Sequence, residues 1–359
     1  MEPRSNIETQ EKKVKSKGGM KLFRRLPKVS WQPGEDDPFI PPEKWSDYPD
    51  LIEDFKLLNE QLMRKFHKFD KQSLHAQNTF RLQQLVLLTG SAVAAILGAI
   101  QIALINSLIP GVLETLVTIF LACMTYIVRS LNAQRDYFTY RLIAETLRGE
   151  YYLFLGRIGE YADEEKRLQT LKHRVNEITG QKQQQSNEGG RKIYADVVPV
   201  QMVNRDKQFL ELYNQYRYGS QLGYYDGRRE EFEGAQYEFV LSSATLMGLA
   251  AVMSVLASLD LGGLKLLWAV LAVIFPTLSA ALSTYTTLYA FERQAKIYRD
   301  AFVRLESAEH KLQATLESRS RQEMVDFVDE VERVFLEERG QWGLLADNIK
   351  LPEPPLPLS

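Results

Sequence analysis

Charge vanishes twice along this chain. From position 83 to 113 there is no Asp, Glu, Lys or Arg; Glu114 interrupts, and 115–128 is again uncharged. A second uncharged stretch begins at Phe239 and runs, broken only by Asp260 and Lys265, to Phe291. A membrane-crossing helix needs about 20 predominantly apolar residues to pass roughly 30 Å of hydrocarbon. The first window is too long for one crossing and breaks at Asn106-Ser107-Leu108-Ile109-Pro110-Gly111, a turn-forming cluster. The pattern therefore predicts spans at 85–108 and 112–131, and, around Asp260-Leu261-Gly262-Gly263, spans at 239–259 and 264–291. Buried hairpins of a soluble protein are the competing reading. Helices of this length without a charged outer face argue against it.

Outside the spans the pattern is amphipathic. Residues 51–80 and 203–237 read as long entry helices. After the second span Tyr140, Leu147, Phe154, Tyr161, Leu168 and Val175 recur every seventh position, with Ala144, Tyr151 and Ile158 between them. Such a seam makes a continuous stripe for another helix; with span and exit continuous, one helix would run from 112 to 178, roughly 100 Å at about 1.5 Å per residue. Tyr298, Phe302, Leu305, Leu312 and Leu316 form a similar stripe after the fourth span. An offset of 158 lays Tyr140-Arg141 on Tyr298-Arg299 and the second span on the fourth. The expected fold is an all-α membrane protein of two tandem units, each a long cytoplasmic helix, a two-span hairpin and another long cytoplasmic helix. The units are 49–178 and 201–339, joined by a polar linker at 179–200 and flanked by a basic, Pro-containing region at 1–48 and a Pro-rich tail at 340–359.

Lys and Arg cluster at one end of every span. Lys65, Lys68, Lys71 and Arg81 precede the first, Arg129, Arg135 and Arg141 follow the second, Arg228 and Arg229 precede the third, and Arg293, Lys296 and Arg299 follow the fourth. The positive-inside rule then places both termini in the cytoplasm of a protein integral to the plasma membrane. The near-neutral total, a formal net charge of -2, gives no reason to expect nucleic acid as a partner. The single Cys, Cys123, excludes an internal disulfide.

No catalytic motif, cofactor-binding loop or metal-ligand spacing is present, so the sequence reads as a non-enzyme without cofactors. His67, His75, His173 and His310 are scattered over charged helices. Three features bear on transport. Thr115, Thr118 and Thr125 share one face of the second span, and Ser283 and Thr287 occupy the same register in the fourth. With the amide of Gln101 they are candidate pore-lining residues; close helix packing by small residues explains the same pattern. Glu114 is placed at the outer rim. Tyr140, Leu147, Tyr151, Phe154, Tyr161 and Leu168 form a candidate seam for a bundle or oligomer. Lys21, Arg24 and Arg25 lie in a basic stretch suited to anionic lipid headgroups.

The run Tyr140-Arg141-Leu142-Ile143-Ala144-Glu145-Thr146-Leu147, leaving a two-span hairpin, resembles the SLATT superfamily. The resemblance covers about 58–171 and, more weakly, 213–316, where Ala301-Phe302-Val303 replaces Ile143-Ala144-Glu145. It implies a two-span, pore-forming effector type of domain, associated with nucleotide-synthesising or nucleotide-sensing defence modules. The expectation is a homo-oligomeric ion channel or pore in the lipid membrane, gated through its cytoplasmic bundle by a nucleotide or protein trigger. The alternative is a membrane-anchored scaffold with a coiled-coil-like stalk.

Overall fold

The computed structural model describes residues 36–103, 107–131, 133–180, 201–288 and 290–348. Lys21, Arg24, Arg25, linker positions 181–200 and the Pro-rich end at 351–358 lie outside the described residues. Two short 3-10 turns, Pro42–Asp47 and Pro49–Leu51, lead into α1 (Ile52–Leu58). A π-helical turn at Asn59–Met63 then passes into α2 (Arg64–Ala103), α3 (Ile109–Leu131) and α4 (Ala133–Gly156). After a break comes α5 (Arg167–Gly180). The second unit repeats the order: α6 (Asn204–Tyr213), a π turn at Asn214–Tyr218, α7 (Gly219–Ser258), α8 (Lys265–Leu288), α9 (Phe291–Ser318) and α10 (Arg321–Asn348). Apart from one isolated bridge between Gln201 and Ser320, no strand occurs among the described residues. α10 runs past the expected boundary at 339.

The two units copy each other closely. Both entry helices carry a five-residue π turn beginning at an Asn, and both then run 40 residues without a break. At 1.5 Å per residue each is about 60 Å long, enough to belong to a polar body at one end and a span at the other. The ring pair Phe69–Tyr140, at 6.1 Å, recurs as Tyr224–Tyr298, also at 6.1 Å. Leu147 and Leu305, one repeat apart, are both fully buried.

Among the described residues, four helical segments are long and apolar enough to cross a membrane, one in each of α2, α3, α7 and α8. The first span packs on the second and also along the fourth, which packs on the third. The layer is thus a row: second, first, fourth, third. Pro276 sits inside α8. Beside it Ser243 and Ser279 clasp the third and fourth spans, their hydroxyls 2.6 Å apart and each also donating to the other's carbonyl. Mutual bonding of this kind satisfies hydroxyls that lipid cannot.

The structure corrects the expected 112–178 helix. α4 stops at Gly156, where Arg157 (φ 51°) and Gly159 (φ 64°) turn the chain back. A non-glycine residue in this left-handed region costs roughly 1–2 kcal/mol, and the cost is offset by capping of the exposed helix end. Arg205 donates to the Leu155 carbonyl at 2.8 Å, and Arg321 to the Arg157 carbonyl at 3.2 Å. Each guanidinium is fixed by a buried carboxylate, Asp54 for Arg205 and Asp206 for Arg321. The seam therefore folds onto its own chain. Leu147, Tyr151, Phe154 and Tyr161 are buried in one core with Phe66, Phe209 and Tyr213, while Tyr140 and Leu168 are half-buried. The second exit helix turns back in the same manner at Arg319 (φ 53°). The fourth span, expected to reach 291, yields to α9 at left-handed Ala290.

Gly156 allows this turn to close, because a Cβ there falls 2.7 Å from the Phe209 ring. Gly156→Ala is expected to destabilise the body by about 1–3 kcal/mol through overpacking, measured as a lowered thermal midpoint in detergent. Gly223→Ala, which meets open space, serves as the control.

Candidate functional site

The polar body converges on one buried ion pair. Arg217 lies in the second unit's π turn, a widened helical turn of a type frequent at functional sites. Its Nε and Nη2 donate to Glu332 Oε1 and Oε2 of α10, both at 2.9 Å, a two-pronged geometry with little exposure on either side. The Tyr213 hydroxyl adds a third donor to Glu332 at 3.0 Å. The guanidinium also lies over the rings of Phe335, at 4.2 Å, and Tyr152, at 5.4 Å. The first unit reaches this point through α4. Gly149 approaches Glu332 so closely that a Cβ would sit 3.3 Å from Oε2, and the Tyr152 hydroxyl donates to the Tyr216 carbonyl at 3.3 Å. Both units are thus keyed to one carboxylate.

Beside the pair is a small crevice of about 10 Å³, lined among others by Arg141, Glu145, Arg217, Gln221, Tyr224 and Arg339. It places Arg141 and Glu145 of the Tyr-Arg cadence against the second unit. Burial acts to raise the Glu145 carboxyl, but Arg148, Arg141, Arg217 and Arg339 together hold it down at about 2. The second cadence does otherwise: Arg299 pairs on the surface with Glu233 at 2.6 Å. A further buried carboxylate, Glu150, accepts from Tyr161 at 2.5 Å and from Arg174 at 3.2 Å, fastening α5 back onto α4.

The candidate pore residues occupy different surroundings. Thr115, Thr118 and Thr125 are exposed on the second span, and each hydroxyl donates to its own helix four residues back at 2.8–2.9 Å. Ser283 is also exposed, and Thr287 donates to the Ser283 carbonyl at 3.0 Å. Gln101 accepts the Gly111 N–H at 2.9 Å, so its amide caps the start of the second span. Glu114 lies against Gly98, whose missing side chain makes room for the carboxylate. Sequence reasoning did not find Arg217, Glu332, Asp54 or Arg205. The aromatic density around Arg217 was the available signal, but its partner is 115 positions away.

Removing one partner of a buried pair strands the other charge, at a cost of roughly 3–5 kcal/mol. Glu332→Ala is expected to destabilise by about that amount, and the double change Arg217→Met with Glu332→Leu to recover most of it; thermal unfolding of the purified protein decides. Glu145 contributes stability that is full above its ordinary value of 4.5 and lost as pH falls from there toward about 2. Glu145→Gln should flatten the stability profile across that acid range.

Comparison with protein families divides the chain as the fold does. Residues 213–342 match the family described as SMODS and SLOG-associating 2TM effector domain 1 (SLATT_1). Residues 64–169 match a family described as a protein of unknown function (DUF4231). No curated protein and no solved structure matches the chain. The SLATT resemblance is therefore shown, but in the second unit; the cadence at 140–147 that first carried it falls within the DUF4231 match. The chain is a tandem two-span membrane protein in which a unit matching DUF4231 precedes one that matches the SLATT effector family.

Proposed function

We propose that this protein is a membrane-embedded defence effector that assembles into an oligomeric ion conduit, with its polar body in the cytoplasm as the gate. The effector role rests on the description of the family matched by the second unit. The observation that carries the gating is the pair of unbroken 40-residue helices. α2 and α7 each begin in the body and end in the layer of spans, so a change at one end is transmitted along a rigid rod. Arg217 lies just before α7, which places the buried pair at the body end of the helix that carries the third span. The exposed stripe of Thr115, Thr118 and Thr125 is a suitable wall for a path that forms only when several chains assemble. The excess of Lys and Arg at the body end of the spans favours a cytoplasmic body, where a nucleotide or protein trigger would act. No catalysis is assigned.

The second reading, a membrane-anchored scaffold, is favoured by the threonine hydroxyls, which are already bonded within their own helix. Ion flux from proteoliposomes separates the two. Conduction predicts flux that Glu332→Gln alters by loosening the gate and that Thr118→Arg diminishes for cations. Protein that is oligomeric and folded yet passes no ion under any voltage or cytosolic extract would overturn conduction and leave the scaffold.

A further inference from the structure

The row of spans is built head to tail. Its inner joint sets the first span of one unit against the fourth span, which is the second span of the other unit. Its two ends are therefore unlike: the second span (α3) at one, the third (α7) at the other. An end of each kind is what a further joint of the same type requires.

The exposure pattern identifies the faces. Within each hairpin the contacts fall at corresponding levels to within one helical turn. Gly90 meets Leu121 in the first and Ser243 meets Ser279 in the second, and Leu121 and Ser279 are one 158-residue repeat apart. The hairpin face of the first span, Gly90, Ala94, Leu97 and Gln101, has its counterpart at Leu246, Ala250, Met253 and Ala257 of the third, and all eight are at least half-buried. The other face differs. In the first span Leu85, Leu88, Ala92 and Ile96 are half-buried and Ala99 is 6% exposed. Their counterparts in the third, Leu241, Ala244, Gly248, Val252 and Val255, are all exposed, Val255 by 58%. On the fourth span Val270, Ile274, Thr277 and Ala281 are half-buried. Their counterparts on the second, Val112, Leu116, Ile119 and Cys123, are exposed. The same two faces are covered at the inner joint and bare at the ends.

We propose that a second copy of this chain covers them: the Leu241–Val255 face of the third span in one copy packs on the Val112–Cys123 face of the second span in the next, repeating between chains the joint already made within the chain. Ala244 and Gly248 permit the close approach that drives helix association in lipid. The contact is heterologous, so successive copies close a ring or extend an array. It leaves Thr115 and Thr125 uncovered, as their counterparts Val273 and Ser283 are exposed beside the inner joint, whereas Pro276, the counterpart of Thr118, is half-buried there. The proposal supplies the joint for the oligomer in the functional reading, and it rests on that oligomer rather than on conduction.

The chain's only cysteine, Cys123, lies on one of the two faces and serves as a reporter. Antiparallel registers place it level with 241–244 of a neighbouring third span. Full-length chains carrying Cys123→Ala with either Leu241→Cys or Ala244→Cys are mixed, before assembly, with differently tagged chains retaining Cys123, reconstituted in liposomes and oxidised. The expected result is a disulfide product joining the two tags, absent when either chain is oxidised alone. Gly248→Leu, at a position where a Cβ meets open space within the chain, should abolish the product and dissociate the oligomer without lowering the thermal midpoint. Equal cross-linking of Cys123-only chains to one another, no mixed product at either position, or an oligomer indifferent to Gly248→Leu would each overturn the joint. Flux, measured separately, fails or survives independently of these readings.

Discussion

A guanidinium taken out of water must find acceptors nearby, and in this protein Glu332 supplies them. Arg217 directs two donors at one carboxylate, lies over the rings of Phe335 and Tyr152, and shares its acceptor with Tyr213. Charge in a low-dielectric interior is tolerated only with geometry of this quality. The requirement dictates much else. Helix α10 must fold back far enough to deliver Glu332, so the exit helix before it must end at Arg319. Helix α4 must pass within contact of Oε2, so position 149 cannot carry a side chain without displacing the carboxylate. The π turn widens the entry helix where the arginine departs from it.

The same logic recurs at the edge of the body. Asp54, Asp206 and Glu150 are each almost completely buried and each holds an arginine that reaches another element. Two of these arginines also take the carbonyls left bare where α4 ends. Cutting a helix short exposes acceptors, and positive charge at a helix C-terminus is favoured by the backbone dipole. The chain reversal and the ionic network are consequently one construction, and it ties the start of the second unit to the end of the first unit's exit helix.

Much of this was legible in the sequence because the membrane imposes a coarse rule. Four charge-poor windows with turn-forming residues between them identify the spans, and the repeat between Tyr140 and Tyr298 identifies the tandem. The reversals after α4 and α9 were not legible, since the left-handed positions are Arg157 and Arg319 rather than glycines. Tyr161 and Leu168 also continue the seven-residue cadence beyond the break, so periodicity ran through a corner it had no means to register. The Arg217–Glu332 pair joins residues far apart in the chain, and a single sequence carries no record of which charge meets which. For the threonines, the shared helical face was readable, whereas its direction depended on which neighbour the second span chose.

Covalent fusion of two unlike units has an arithmetical consequence. Because a DUF4231-type hairpin and a SLATT-type hairpin arrive on one polypeptide, their ratio is one to one in every assembly, whatever the rates of synthesis. Any closed ring of such chains holds an even number of hairpins in strict alternation. Its rotational symmetry is then that of the chains, half the order counted in hairpins, and a span with a proline in mid-helix, Pro276, stands in every second hairpin around the circumference.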